Sequence, residues 1–400
     1  MERRSSSPTK LPGRLTDRRA LIERVVRELA ALERPSASAG ERRAAEWLAD
    51  ELERAGARDV RLESERAHGG YWWPLGLLNA GALAAAAAGR RALGAVCGAF
   101  AAAAIYDDVG GGRLWFRRLL PSRFTHNVVA EVGDPRAERT VVFIAHHDAA
   151  HSGLVFHPAL PRLAMQRAPR LHAKSNQSFP ILFGVFLGPL LVCLWGLTGL
   201  RALRGIGAFF AAGAAATMAD IGARPAVPGA NDNLSAVAVL VALARELTER
   251  PSDGTRVILL STGSEEGFME GMQAFGRRHF GELDRPTTEF VCLECVGSPH
   301  LCVVEGEGML RMRLYPEGAR AALAAAGERA GVPLWRGLRT VAATDALVAL
   351  RAGYRTCLLG GVDETKFPAN YHWPTDVPDN LAWESIERAV AVCEAYVRRA

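Results

Sequence analysis

Residues 140–148 read TVVFIAHHD, six apolar or β-branched residues followed by two imidazoles and a carboxylate. A run this apolar predicts a strand buried on both faces, as inside a parallel sheet. Side chains alternate along a strand, so His146 and Asp148 share one side and His147 takes the other. The same order returns twice: Arg256–Leu260 (RVILL) precedes Glu265 and Glu266, and Phe290–Val296 (FVCLECV) carries Glu294. Apolar strands alternating with Ala- and Leu-rich helices, a long one from Leu234 to Leu247, predict an α/β fold. Its central sheet is mostly parallel or mixed, with helices on both faces. Ala37–Leu62 reads as an amphipathic helix then a strand, with Gly56 near the helix end, and a helix from Leu381 to Val397 closes the domain.

Five motifs carry the chemistry: AHHD (146–148 its polar part), GANDN (Asp232), SEEG (Glu265, Glu266), LECVG (Glu294) and YHWPTD (His372). Zinc accepts imidazole nitrogen and carboxylate oxygen, and two neighbouring ions need one shared ligand and two terminal ligands each. His146, Asp232, Glu266, Glu294 and His372 meet that count. Glu265 is left over beside a ligand, where a general base belongs. Each residue also has a blander reading. Asp232 before a helix is commonly an N-cap, a loop histidine such as His372 is commonly just exposed, and His147 is expected to be hydrogen-bonded or exposed rather than a ligand. For Glu294 the bland reading is costly, because an unpaired carboxylate in so apolar a run loses its hydration. Together the residues imply a two-metal hydrolase.

In order and context these motifs resemble the M28 family of zinc aminopeptidases and carboxypeptidases, over roughly residues 20–70, 124–155 and 225–400. The resemblance implies that His146 and Glu294 hold one zinc, Glu266 and His372 the other, and that Asp232 bridges them. Asn233 or Ser235 would then cap the following helix. It also implies that Asp148 orients His146 and that Glu265 moves the proton from water to the leaving amine. Two Zn2+ per chain, a peptide substrate and removal of N-terminal residues are expected accordingly. Many relatives carry Asp where this chain has Glu294. Asp345 is expected behind the ligands rather than among them. Two alternatives stand beside this reading: a one-zinc glutaminyl cyclase-like acyltransferase, and a catalytically silent membrane scaffold with the same fold. The presence of Glu265 and all five ligands speaks against the silent scaffold.

Hydrophobic stretches interrupt the resemblance. Residues 178–200 carry no charge, long enough for a transmembrane helix of ~20 residues. Residues 203–219 follow, and an earlier pair, Tyr71–Ala88 and Ala92–Tyr106, is split by Arg90-Arg91. They predict two transmembrane helical hairpins, at 71–106 and 177–222, inserted into a peptidase domain made of 13–70, 107–176 and 223–400. Membrane lipid is the expected partner. Tyr71, Trp72, Trp73 and Tyr106 suit an interfacial aromatic belt. Gly110–Gly112 with Arg113, Trp115, Phe116, Arg117 and Arg118 reads as a loop touching anionic headgroups. Two hairpins return the chain to one side, so all catalytic segments share a face. That face is expected to be cytoplasmic, since no leader pattern opens the sequence, although Arg90, Arg91, Arg201 and Arg204 in the short loops argue the other way.

Residues 1–12 are polar and expected to be disordered. A net charge of +5 without a basic stripe gives no support to nucleic-acid binding. The seven cysteines, mostly within apolar runs, read as small core residues. Cys292 and Cys295 form a CxxC that lacks the second pair of a zinc knuckle.

Overall fold

The computed structural model of the chain describes residues 12–178 and 183–399. The elements begin with α1 (Pro12–Ala30), α2 (Ala39–Arg54), β1 (Arg58–Ala67), α3 (Trp72–Ala87), α4 (Arg91–Val109), β2 (Arg123–Gly133) and β3 (Arg139–His146). Next come α5 (Ala159–Arg167), α6 (Pro169–Lys174), α7 (Phe183–Thr198), α8 (Arg201–Ala223), α9 (Ser235–Glu249), β4 (Thr255–Thr262) and α10 (Glu270–His279). The chain closes with β5 (Thr288–Glu294), β6 (His300–Glu307), β7 (Arg313–Leu314), α11 (Glu317–Ala330), β8 (Trp335–Thr340), α12 (Ala346–Arg351), β9 (Arg355–Val362) and α13 (Trp383–Val397). The tail expected over residues 1–12 lies outside the described residues except for Pro12, which opens α1.

Among the described residues the nine strands form one mixed sheet, in the order β1-β2-β4-β3-β5-β9-β6-β7, with β8 on β6. β4, β3, β5 and β9 are mutually parallel, and β2 and β6 flank them antiparallel. Alternation along β3 explains why this sheet is covered twice. Val141, Phe143 and Ala145 join the core beneath α1, α2, α9 and α13, while Val142 and Ile144 join the opposite core beneath α10 and α12. Both faces are apolar, so both must be roofed by helices. The parallel strands end at one edge. His146 closes β3 opposite Thr262 of β4, and Glu294 closes β5 opposite Gly360 of β9. A parallel sheet collects its functional groups at these carboxyl ends because the connecting loops start there.

α3, α4, α7 and α8 pack together as a four-helix bundle rather than as two separate hairpins: α4 lies against α7, and α3 against α8. At its base, Leu75 and Leu78 of α3, Ile105 of α4 and Met218 and Ile221 of α8 merge with the core that holds Phe268 and Met272. Farther out the packing is close and glycine-made. A Cβ on Gly98 would meet the Cys193 backbone at 2.5 Å, and one on Gly196 the Ala95 backbone at 2.2 Å. Meanwhile Leu77, Val96, Phe100, Leu197, Ile206 and Phe209 point outward and are exposed.

α4 and α8 are long and apolar enough to cross a membrane by length and composition. The uncharged 178–200 stretch, expected as the strongest span, gives the shorter α7 of 16 residues, with 179–182 outside the described residues. α3 also has 16 residues, and α4 continues past the expected boundary at 106 to Val109.

Two expectations are corrected. Arg117 is not a headgroup-facing residue. It is fully buried, pairs with Asp108 at 2.8 Å and donates to the Gly267 carbonyl at 2.6 Å, because it clasps the end of α4 to the turn after β4. Nor does Tyr71 sit in an outer aromatic belt: it is buried with its ring stacked on Phe268 at 4.7 Å. Among the cysteines all seven are free, five of them buried.

Candidate metal centre and active site

The five expected ligands meet at the carboxyl edge of the sheet. His146 Nε2 lies 3.2 Å from Asp232 Oδ1 and 3.7 Å from Glu294 Oε2. His372 Nε2 lies 3.2 Å from Asp232 Oδ2 and 3.0 Å from Glu266 Oε1. Asp232 thus faces a different imidazole with each of its oxygens. His146, Asp232 and Glu266 offer atoms that all lie within 4.8 Å of one another, and so do Asp232, Glu294 and Cys295. Asp232 belongs to both groups. Glu265 Oε2 is 3.9 Å from His146 Nε2.

Each of these side chains is presented by a local device. Asp148 lies beyond β3 with Oδ1 3.4 Å from His146 Nδ1, and its carboxylate accepts the Glu265 and Glu266 backbone N–H groups, both at 3.1 Å. Asp148 therefore fixes the paired-glutamate turn as well as the imidazole. Ser36 completes its shell, donating at 2.6 Å. His147 points away, as alternation requires, and its Nδ1 meets Ser261 Oγ at 2.9 Å. Burial drives the pKa of that imidazole down to about 3, so it stays neutral.

The turn carrying Asp232 departs from expectation. Neither Asn233 nor Ser235 caps α9. Asn233 instead donates to Leu293 O and to Glu294 Oε2 at 2.8 and 3.0 Å, tying the turn to β5. Ser235 donates to Asn231 O at 2.7 Å. The free N–H groups of Asn231 and Asp232 are taken by Asp376, at 2.6 and 3.1 Å. Buried Arg34 then joins the two loops, donating to His147 O at 2.8 Å and to Gly229 O at 2.9 Å. His372 sits at φ +50 with the Tyr371 ring stacked on it at 3.7 Å and the Phe156 ring edge-on at 4.5 Å.

Electrostatically the cluster is acid-rich and dry. Burial pushes the Glu265 carboxyl well above the usual range, against the pull of His146 and with Asp345 and Glu266 adding to the rise. Burial also raises Glu266 and Glu294. For Asp232 burial is outweighed by the His146 and His372 imidazoles facing its two oxygens, which hold it well below the usual range. Asp345 lies behind, bonded to Thr262 Oγ1, and burial lifts it to about 7.

A divalent cation fits this donor set. Asp232 Oδ2 and His372 Nε2 are buried and, among the described residues, have no hydrogen-bond partner. Buried polar atoms left so are costly unless something else takes the lone pairs. Oxygen and imidazole nitrogen are donors that zinc accepts.

Beside the cluster opens a cavity of about 140 Å3. Cys302, Val304, Met309, Leu338 and Leu358 make its apolar floor, while Tyr71, Phe156 and Ser178 reach it from the bundle and its connections. Residues 176–178 run beside β8: Arg339 N–H donates to Asn176 O at 2.7 Å and Ser178 N–H to Arg339 O at 3.0 Å.

In its fold the chain is similar to solved zinc exopeptidases, aminopeptidases and glutaminyl cyclases. A Zn-dependent exopeptidase from Parabacteroides distasonis superposes with a TM-score of 0.56 at 12% identity, covering 96% of this chain and 98% of that one. An aminopeptidase from Aneurinibacillus sp. gives 0.54 at 13% identity, with 95% and 93% covered. A glutaminyl cyclase from Bacteroides thetaiotaomicron bound to N-acetylhistamine gives 0.56 at 13% identity, with 96% and 97% covered. The family model described as Peptidase family M28 matches residues 216–397. That segment holds Asp232, Glu265, Glu266, Glu294 and His372, while the His146–Asp148 motif lies before it. No curated protein matches by sequence.

Proposed function

We propose that the protein is a membrane-anchored two-zinc exopeptidase that removes N-terminal residues with large apolar side chains. The observation that carries the reading is the position of Asp232, with one oxygen 3.2 Å from each of the two histidines. A one-zinc cyclase needs a single ligand set. Here His146 and Glu294 supply a second beside that of His372 and Glu266, with Asp232 common to both. Zinc bound by these five residues would supply Lewis acidity and lower the pKa of a water toward neutrality.

The chain's own groups do the rest. Glu265, held dry and raised in pKa, accepts the proton of the attacking water and returns it to the leaving amine. Asp148 keeps His146 and the Glu265–Glu266 turn in register. Tyr71, kept protonated by burial, lines the same cavity. The apolar floor selects the side chain: about 140 Å3 compares with the ~150 Å3 apolar cavity that admits benzene, so it suits one Leu- or Phe-sized group.

Anchoring is supported by the bundle's outward Leu, Val and Phe side chains and its inward glycines. α4 and α8, with 19 and 23 residues, extend about 28 and 34 Å at 1.5 Å per residue, against ~30 Å of bilayer hydrocarbon. The test is a panel of aminoacyl anilides, free and N-acetylated, and of Gln-initiated peptides, with and without chelator. Turnover only of free-amine Leu and Phe substrates, lost with chelator and restored by zinc, is expected. Chelator-insensitive turnover would reject the metal reading, and cyclisation of the Gln peptides would favour the cyclase.

A further inference from the structure

Between Asp148 and Asp220 the sequence contains no acidic residue, and its middle part, α5 and α6, carries Arg162, Arg167, Arg170 and Lys174. Neither helix has a buried residue. Leu160, Leu163 and Leu171 are exposed, with Leu160, Leu163 and Arg167 at the spacings that share one helical face. Among the described residues Arg167, Arg170 and Lys174 have no ion pair or side-chain hydrogen bond in the chain, and Arg162 has only the field of Glu364. Cations and leucines presented together without a protein partner are the composition of an interfacial helix.

Position supplies the second argument. The segment leaves the bundle base where Leu154 N–H donates to Asp220 of α8 at 2.6 Å, and at its other end Ser178 N–H donates to Arg339 O at 3.0 Å, with α7 beginning at Phe183. The first end is therefore fixed at the base of α8, and the second lies just before α7 along the chain. Lys366, held by the carbonyls of His172 and Ser175 at 2.7 and 2.8 Å, ties the platform to the wall of the cavity.

We infer that α5 and α6 form a docking surface for an anionic bilayer, their cations on lipid phosphates and their leucines in the headgroup boundary, holding the cavity at the membrane surface. The inference rests on the reading of the bundle as membrane-spanning. An anionic surface attracts a juxtamembrane cation by roughly fivefold each in partition.

The experiment uses the full chain in nanodiscs of phosphatidylcholine, alone or with 30% phosphatidylglycerol (about a third anionic lipid, enough to charge the surface), followed by amide hydrogen exchange. Exchange across residues 159–174 is expected to slow about tenfold on the anionic discs only. The effect should vanish at high salt and in a variant with Arg162→Gln, Arg167→Gln, Arg170→Gln and Lys174→Gln, while the remaining amides are unchanged. Equal exchange on both lipids, in protein that floats with vesicles after an alkaline carbonate wash, would overturn the docking surface alone. Failure to float after that wash would overturn the spanning bundle instead.

Discussion

The α/β domain and the four-helix bundle solve the packing problem in different ways. In the domain, Val237, Leu240 and Phe143 point inward with no exposure, and charged groups buried away from the site, such as Arg117 and Asp108, are paired. In the bundle Gly94, Gly98, Gly188, Gly196 and Gly207 make close interior contacts beside buried Val192 and Trp195, while other large side chains, Phe209 at 73% and Val96 at 68% exposure, face outward. Burying large apolar groups stabilises a fold only when the alternative is water. Where the surroundings are hydrocarbon, close backbone approach and dispersion take over, and small residues gather at the helix contacts. The two regions share one chain and one core boundary, so each tests the reading of the other.

The largest expected effect separates chemistry from anchoring. Glu265→Gln keeps the shape of the turn and the proposed ligands but removes the proposed proton carrier, and kcat is expected to fall by ~10²–10⁴. Zinc content and membrane flotation should stay as in the parent, and substantial activity in this variant would remove Glu265 from the mechanism. A smaller effect is expected from Arg34→Met, which strips two buried carbonyls of their donor. The expected cost is about 2–5 kcal/mol, read as a lower midpoint in thermal unfolding with zinc binding weakened in step. An unchanged midpoint would show that the two metal loops hold without their clasp. Smallest is Gly98→Leu, whose side chain has no room against the Cys193 backbone. It should destabilise the bundle by ~1–3 kcal/mol, while outward Val96→Leu is neutral. If both behave alike, the contrast between inward and outward faces fails.

Much of this was legible in the sequence because the strands are buried on both faces. TVVFIA, RVILL and FVCLECV announce themselves by composition, and a parallel sheet then brings His146, Glu265 and Glu294 to one edge whatever the loops do. The supporting residues were not legible. Ser36, Arg34 and Asp376 act across 112, 195 and 144 positions of chain respectively, and no periodicity marks such partners. Asp376 stood within YHWPTD and could have been suspected, since a carboxylate near exposed turn N–H groups satisfies them. Tyr71 was hidden by its company: in a run of Tyr and Trp before an apolar helix, a belt residue and a pocket residue look alike. Asn233 and Ser235 misled because they have the side chains of an N-cap, yet here the neighbouring strand and the preceding carbonyl compete for the same groups.

Metal analysis of the purified, membrane-reconstituted chain tests the central claim most directly. Two zinc ions per chain are expected for the parent protein and for Glu265→Gln, with Asp232→Ala losing zinc and activity together. An active parent protein holding one ion or none, or an Asp232→Ala variant that keeps both ions, would contradict a dinuclear centre built on Asp232.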